Sequence, residues 1–119
     1  MSPHTRIVLF AAALLSGAPV LANDFPTVDR VNYVLECMRT HPGPHYEMVS
    51  KCSCALDAMA REIKHDEYND LSTAANANSI GGERGNTIRD TDVLQKKIRK
   101  YRALQNKVKT GCFINLEAR

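Results

Sequence analysis

No stretch of this 119-residue chain stays apolar for the roughly 18–20 residues that a bilayer-spanning helix requires. That lack argues against a retained membrane anchor. The chain also has no tryptophan, no internal repeat, no low-complexity tract and no run of alternating apolar and polar residues. Its pattern is therefore neither disordered nor strand-like. Catalytic signatures are missing too. Neither G-x-S-x-G nor H-E-x-x-H occurs, and no nucleophile has an obvious base. The C-x-x-C-H attachment pattern is absent, so the chain is not itself a c-type cytochrome. The loop Gly81-Gly82-Glu83-Arg84-Gly85 is glycine-rich, but it lacks the Lys-Ser/Thr ending and the strand-before, helix-after setting of a phosphate-binding loop. Taken together, these absences predict a protein that is not an enzyme and holds no cofactor.

The first residues read as an export signal. His4 and Arg6 form a basic start, Ile7–Leu15 an apolar stretch, and Val20-Leu21-Ala22 a small-residue cleavage motif. Residues 1–22 read as a signal peptide and residues 23–119 as a single domain. Removing 22 residues from 119 leaves 97, and losing Arg6 takes the formal charge from +3 to +2. A domain of that size buries one modest core and often relies on a covalent staple.

Three helices follow from periodicity. Thr27 is a suitable N-cap and Asp29 suits the first turn. Val28, Val31, Leu35 and Met38 recur at helical spacing, giving a first helix to about Arg39. His41-Pro42-Gly43-Pro44 ends it, because neither proline continues the hydrogen-bond ladder. Val49, Cys52, Leu56, Met59 and Ile63 form one apolar stripe of a second helix reaching about Leu71. Its outer face carries Asp57, Glu62, Asp66, Glu67 and Asp70. The segment Ile80–Asn86 reads as a breaker-rich loop. Asp90 or Thr91 then caps a third helix with the stripe Leu94, Ile98, Tyr101, Leu104 and Val108, and Gly111 is placed to stop it. The apolar tail Cys112-Phe113-Ile114 is expected to fold back. The predicted class is all-α, a three-helix up-down-up bundle.

All four cysteines, Cys37, Cys52, Cys54 and Cys112, lie after the signal, and an even count in an exported protein reads as two disulfides. In an antiparallel bundle they converge at one end. Residues two apart on a helix point about 200° apart, so Cys52 and Cys54 bridge to different neighbours. Position relative to the apolar stripes favours Cys37–Cys54 with Cys52–Cys112. Axial distance from the connecting loop favours Cys37–Cys52 instead, and both crossings stay open. Met38, His41, His45 and Met48 lie at the same end, an alternative ligand set for copper or zinc carried by soft sulfur and imidazole. A thiol–disulfide exchanger built on Cys52-Ser53-Cys54 is a further alternative, although no thioredoxin-like strand pattern surrounds the pair.

The third helix is strongly basic. Lys96, Lys97, Arg99, Lys100, Arg102, Lys107 and Lys109 occur with no acidic residue from Val93 to Leu116. Such a face either answers the acids of the second helix or receives a partner, and export makes nucleic acid an improbable one. Lys96, Lys97, Arg99, Lys100 and Lys107 are the candidate contacts for an acidic periplasmic protein. Tyr33, Tyr46, Tyr68 and Tyr101 sit mostly off the stripe centres, as edge covers with wet hydroxyls. His65, Asp66 and Glu67 point in different directions on a helix and do not make an acid–base set.

Several short motifs occur together in order: Tyr33-Val34-Leu35-Glu36-Cys37-Met38, Lys51-Cys52-Ser53-Cys54-Ala55, Asp66-Glu67-Tyr68, Gly82-Glu83-Arg84, Arg89-Asp90 and Cys112-Phe113. The set resembles a family of small exported four-cysteine proteins of proteobacteria, encoded near periplasmic PQQ-dependent alcohol dehydrogenases and their cytochromes. Lys-Cys-Ser-Cys-Ala is its most specific piece. The resemblance implies a periplasmic setting and an accessory role in methanol or alcohol oxidation, and it implies no catalytic residues. The sequence therefore predicts a non-enzymatic, disulfide-stapled, protein-binding accessory factor.

Overall fold

A computed structural model describes residues 23–117; the signal segment expected over 1–22 lies outside the described residues. The fold is all-α and carries two disulfides. Five helices are present among the described residues: α1 (Thr27–Thr40), α2 (His45–Glu62), α3 (His65–Ala77), α4 (Gly82–Asp90) and α5 (Asp92–Gly111). Helix α1 packs on α2, α2 packs on α5, and α5 is also backed by α3 and α4.

Five helices replace the expected three for local reasons. The second expected helix breaks at Ile63 and Lys64, both extended. Ile63 closes the last bond of α2, N to the Met59 carbonyl at 3.1 Å, and then tucks its side chain against the core. The first amide of α3, His65 N, donates to Asp24 Oδ2 at 3.0 Å, so a residue of the short lead-in before α1, residues 23–26, satisfies a helix end 41 residues away. The lead-in itself belongs to the core. Phe25 is buried, with its ring 5.2 Å from that of His65 and 5.1 Å from that of Tyr68.

Most of the expected glycine loop is helix α4. Its packing demands glycine at one position: a Cβ on Gly85 would fall 1.8 Å from the Ile80 carbonyl oxygen. At the far end of α5, Gly111 does not supply the left-handed stop. Phe113 does, at φ 61°. Phe113 N donates to Thr110 O and Ile114 N to Lys109 O, the paired bonds of a Schellman ending. The tail then folds back as expected, with Cys112 and Ile114 buried and Phe113 83% exposed.

Antiparallel register is written in the ion pairs. Lys107 meets Glu62 at 2.5 Å, Lys100 meets Glu67, and Lys97 meets Asp70 at 2.7 Å, so α5 runs down as the α2–α3 line runs up. On the other side, Cys37–Cys52 and Arg30–Asp57 fix α1 against α2 in the same sense. The core cluster is built on Cys52, Ala55, Leu56 and Met59 of α2, with Tyr33 and Cys37 from α1 and Val108, Cys112 and Ile114 from the C-terminal end. The expected stripes of α2 and α5 are the ones that face inward. Cys52, Leu56, Met59, Ile98 and Val108 are buried, and Val49, Ile63, Leu94, Tyr101 and Leu104 are half-buried.

Two expectations about α1 fail together. Of the expected stripe, Met38 packs against the core, but Val28, Val31 and Leu35 are 64%, 50% and 59% exposed, while Tyr33 and Cys37 are buried. The favoured pairing also fails: Cys37 bonds Cys52 and Cys54 bonds Cys112. One cause accounts for both. Cys37 lies on the true inward line of α1, one turn after Tyr33, and it reaches the inward cysteine of α2. Cys54, directed away from that line, is left for the tail. The Cys37–Cys52 separation is 15 residues and that of Cys54–Cys112 is 58. In the chain-entropy account the two bridges contribute about 3 and about 4 kcal/mol.

The rotation of α1 has a measurable consequence. Leu35→Ala is expected to change stability by no more than about 0.5 kcal/mol, because its side chain is already in water. Met59→Ala, emptying a fully buried site, is expected to cost about 2–5 kcal/mol. Urea unfolding of the two variants checks the assignment of faces, and a cost at Leu35 comparable to that at Met59 would contradict it.

Candidate functional site

The basic face of α5 divides into two rows. Lys97, Lys100 and Lys107 are consumed internally by Asp70, Glu67 and Glu62. These pairs are half-exposed and contribute at most about 1 kcal/mol each, but they set register. Lys96, Arg99 and Arg102 are exposed at three-residue spacing, and none of them makes an ion pair among the described residues. Of the five candidate partner contacts, Lys96 and Arg99 thus remain available, and Arg102 extends their row.

The cysteine end is arranged as structure. Cys37, Cys52 and Cys112 are buried, no cysteine is free, and the bridges span three helical segments. The four alternative metal ligands go to different surroundings. Met48 is buried in the core and Met38 packs against it, while His45 is exposed with its ring 5.3 Å from that of Tyr46. His41 accepts from Lys109 Nζ at 3.1 Å through Nε2. An ammonium at that nitrogen competes with any cation for its lone pair. Among the described residues no three His, Cys, Asp or Glu side chains are grouped so as to hold a metal ion.

His65, Asp66 and Glu67 likewise separate. His65 Nε2 lies 2.6 Å from Asp29 Oδ2, Glu67 meets Lys100, and Asp66 is exposed.

Beyond the sequence-derived candidates, a polar network forms where α1 faces α3 and α5. Tyr33 OH donates to Gln105 Oε1 at 2.9 Å, and Gln105 Nε2 donates to the Tyr101 hydroxyl oxygen at 2.8 Å. The ring of Tyr68 lies 6.3 Å from that of Tyr33 and 6.2 Å from that of Tyr101. Burial raises the pKa of all three phenols, with mutual proximity adding to it for Tyr33 and Tyr68, so they are neutral donors throughout the physiological range. Glu36 lies at the rim, where Arg39 binds both carboxylate oxygens and holds its pKa low. Lys109 is half-buried, and that burial lowers its pKa. The sequence places Tyr101 on the stripe of its helix and Tyr33 and Tyr68 as edge covers, and it does not join the three. The one signal that could have joined Tyr33 to the interior is its position one turn before a bridged cysteine.

No family model, curated protein or solved structure matches this chain.

The His41–Lys109 contact makes stability depend on pH. Burial first, and then the Lys109 charge, lower the His41 pKa below its ordinary value. The unfolded chain therefore takes up a proton before the folded one does. His41's contribution is fully present above about pH 6.5 and is lost as pH falls through the window below it. The thermal midpoint is expected to fall between pH 7.5 and 5.5, and to fall less in His41→Asn, which keeps an acceptor for Lys109. Equal slopes in the two proteins would contradict this assignment.

Proposed function

We propose that this chain is a non-enzymatic, exported accessory protein that binds an acidic protein partner through the outer row of α5. One observation carries the reading: the cations of α5 that face α2 and α3 are neutralised within the fold, whereas Lys96, Arg99 and Arg102 stand in solvent on a helix that the bridge to Cys112 holds in place. A fixed row of like charge steers an oppositely charged surface and sets its orientation. Two disulfides in a domain this small support an oxidising compartment. The resemblance to four-cysteine proteins encoded beside quinoprotein alcohol dehydrogenases supports the periplasm as that compartment. It also supports a component of alcohol oxidation, a dehydrogenase or its cytochrome, as the partner.

The test is association kinetics with a purified periplasmic quinoprotein alcohol dehydrogenase and its cytochrome, at low and high salt. Lys96→Glu, Arg99→Glu and Arg102→Glu together are expected to slow association about tenfold or more at low salt, and the difference should shrink as salt screens the row. Lys97→Ala with Lys100→Ala is expected to leave association unchanged while lowering stability slightly. Binding that is indifferent to the outer row would remove α5 as the contact surface.

A further inference from the structure

The cleft between α1, α3 and α5 has the features of a ligand site. Its volume is about 360 Å3, within the range of small-molecule pockets. It lies where α1 stands off from α5, and the Tyr33–Gln105 hydrogen bond spans that gap. Counting donors and acceptors along its wall gives an imbalance. Tyr33 spends its proton on Gln105, and Gln105 spends one amide hydrogen on Tyr101. Tyr101 oxygen receives that bond, and the Tyr101 and Tyr68 hydroxyls share one further hydrogen bond between them, which leaves one phenol proton of that pair uncommitted. The second amide hydrogen of Gln105 is likewise uncommitted.

Charge follows the same direction. Among the described residues Glu36 is the only carboxylate lining the cleft, and both its oxygens are hydrogen-bonded by Arg39. Lys109 lines the same cleft, attracts Glu36 through space and hydrogen-bonds only the neutral acceptor His41 Nε2, which leaves two of its three ammonium hydrogens uncommitted. The cleft therefore offers surplus hydrogen-bond donors and a lysine that makes no salt bridge among the described residues, beside the rings of Tyr33, Tyr68 and Tyr101. The groove beside α1, about 350 Å3, is lined by Val31, Val34, Leu35 and Leu56 together with Thr27, Arg30, Ser53 and Asp57, and its two charged groups, Arg30 and Asp57, pair with each other at 3.6 Å.

We infer that this cleft binds a small aromatic carboxylate, with its ring among the three tyrosines and its carboxylate on Lys109, Gln105 and the Tyr101 hydroxyl. Each part of the ligand answers one feature of the wall. A planar ring gains offset or edge contacts with phenol rings. A carboxylate supplies acceptors to donors that have none, and its hydrogen bond to an ammonium is of the strong, charge-assisted kind.

The test uses benzoate and 4-hydroxybenzoate as probes on the oxidised protein, read by titration calorimetry and by the ring resonances of the tyrosines. Saturable binding is expected below about 1 mM, a modest demand on a ligand of this size. The shifts should be confined to Tyr33, Tyr68 and Tyr101, with Tyr46 unmoved. Lys109→Met is expected to weaken binding about tenfold or more and Lys109→Arg much less, while Tyr101→Phe weakens it about three- to tenfold. Should Lys109→Met fail to fold, benzamide on the unaltered protein decides the charge requirement. Any one of four results would overturn the proposal: no saturable binding of either probe, benzamide binding as well as benzoate, cyclohexanecarboxylate binding as well as benzoate, or folded Lys109→Met retaining full affinity.

Discussion

The bond between Cys37 and Cys52 decides which way α1 faces, and the remaining architecture depends on that choice. A helix carrying apolar residues on more than one side has several rotations of similar burial. Helix α1 is such a helix: Val28, Val31 and Leu35 make one row, while Tyr33, Val34, Cys37 and Met38 make another. A covalent tie to the buried Cys52 selects the second row, because Cys37 must turn inward to reach it. Tyr33 turns inward with it and meets Gln105, and the first row is left in water. The exposed apolar row is thus the cost of a rotation set by sulfur rather than by area buried.

The second bridge works on the other side of α2. Cys54–Cys112 ties the tail after α5 to the middle of α2, so the chain reverses at Phe113 and buries Ile114. A left-handed conformation at phenylalanine is unfavourable compared with glycine. Two tail hydrogen bonds and the covalent tie hold it there. With both bridges in place, α2 is flanked by α1 and α5, and the gap left between those two becomes the tyrosine cleft.

Much of this was legible from composition and period. The all-α class, the convergence of four cysteines and the inward stripes of α2 and α5 follow from residues such as Leu56, Met59 and Ile98 recurring on one face. The failures have a common physical origin in long-range ties. Period alone chose Val28, Val31 and Leu35 with Met38, of which only Met38 packs against the core, and it took no account of a bond from Cys37 to a residue 15 positions away. The break at Ile63 escaped notice because its stabiliser, Asp24, belongs to a segment with no periodicity at all. Helix α4 escaped because its glycines, which break helices in isolation, allow the close approach of Gly85 to the Ile80 carbonyl. On α5, sequence showed one basic face, and only packing separated the lysines that answer Glu62, Glu67 and Asp70 from the row that does not.

The orientation of α1 rests on disulfide connectivity, and connectivity is directly measurable. Proteolysis of the oxidised protein without reductant, followed by mass analysis of the linked peptides, distinguishes the pairings provided cleavage falls between Cys52 and Cys54. The account predicts peptides joining Cys37 to Cys52 and Cys54 to Cys112. Peptides joining Cys37 to Cys54 would rotate α1 away from this arrangement, remove Tyr33 from the cleft and contradict it.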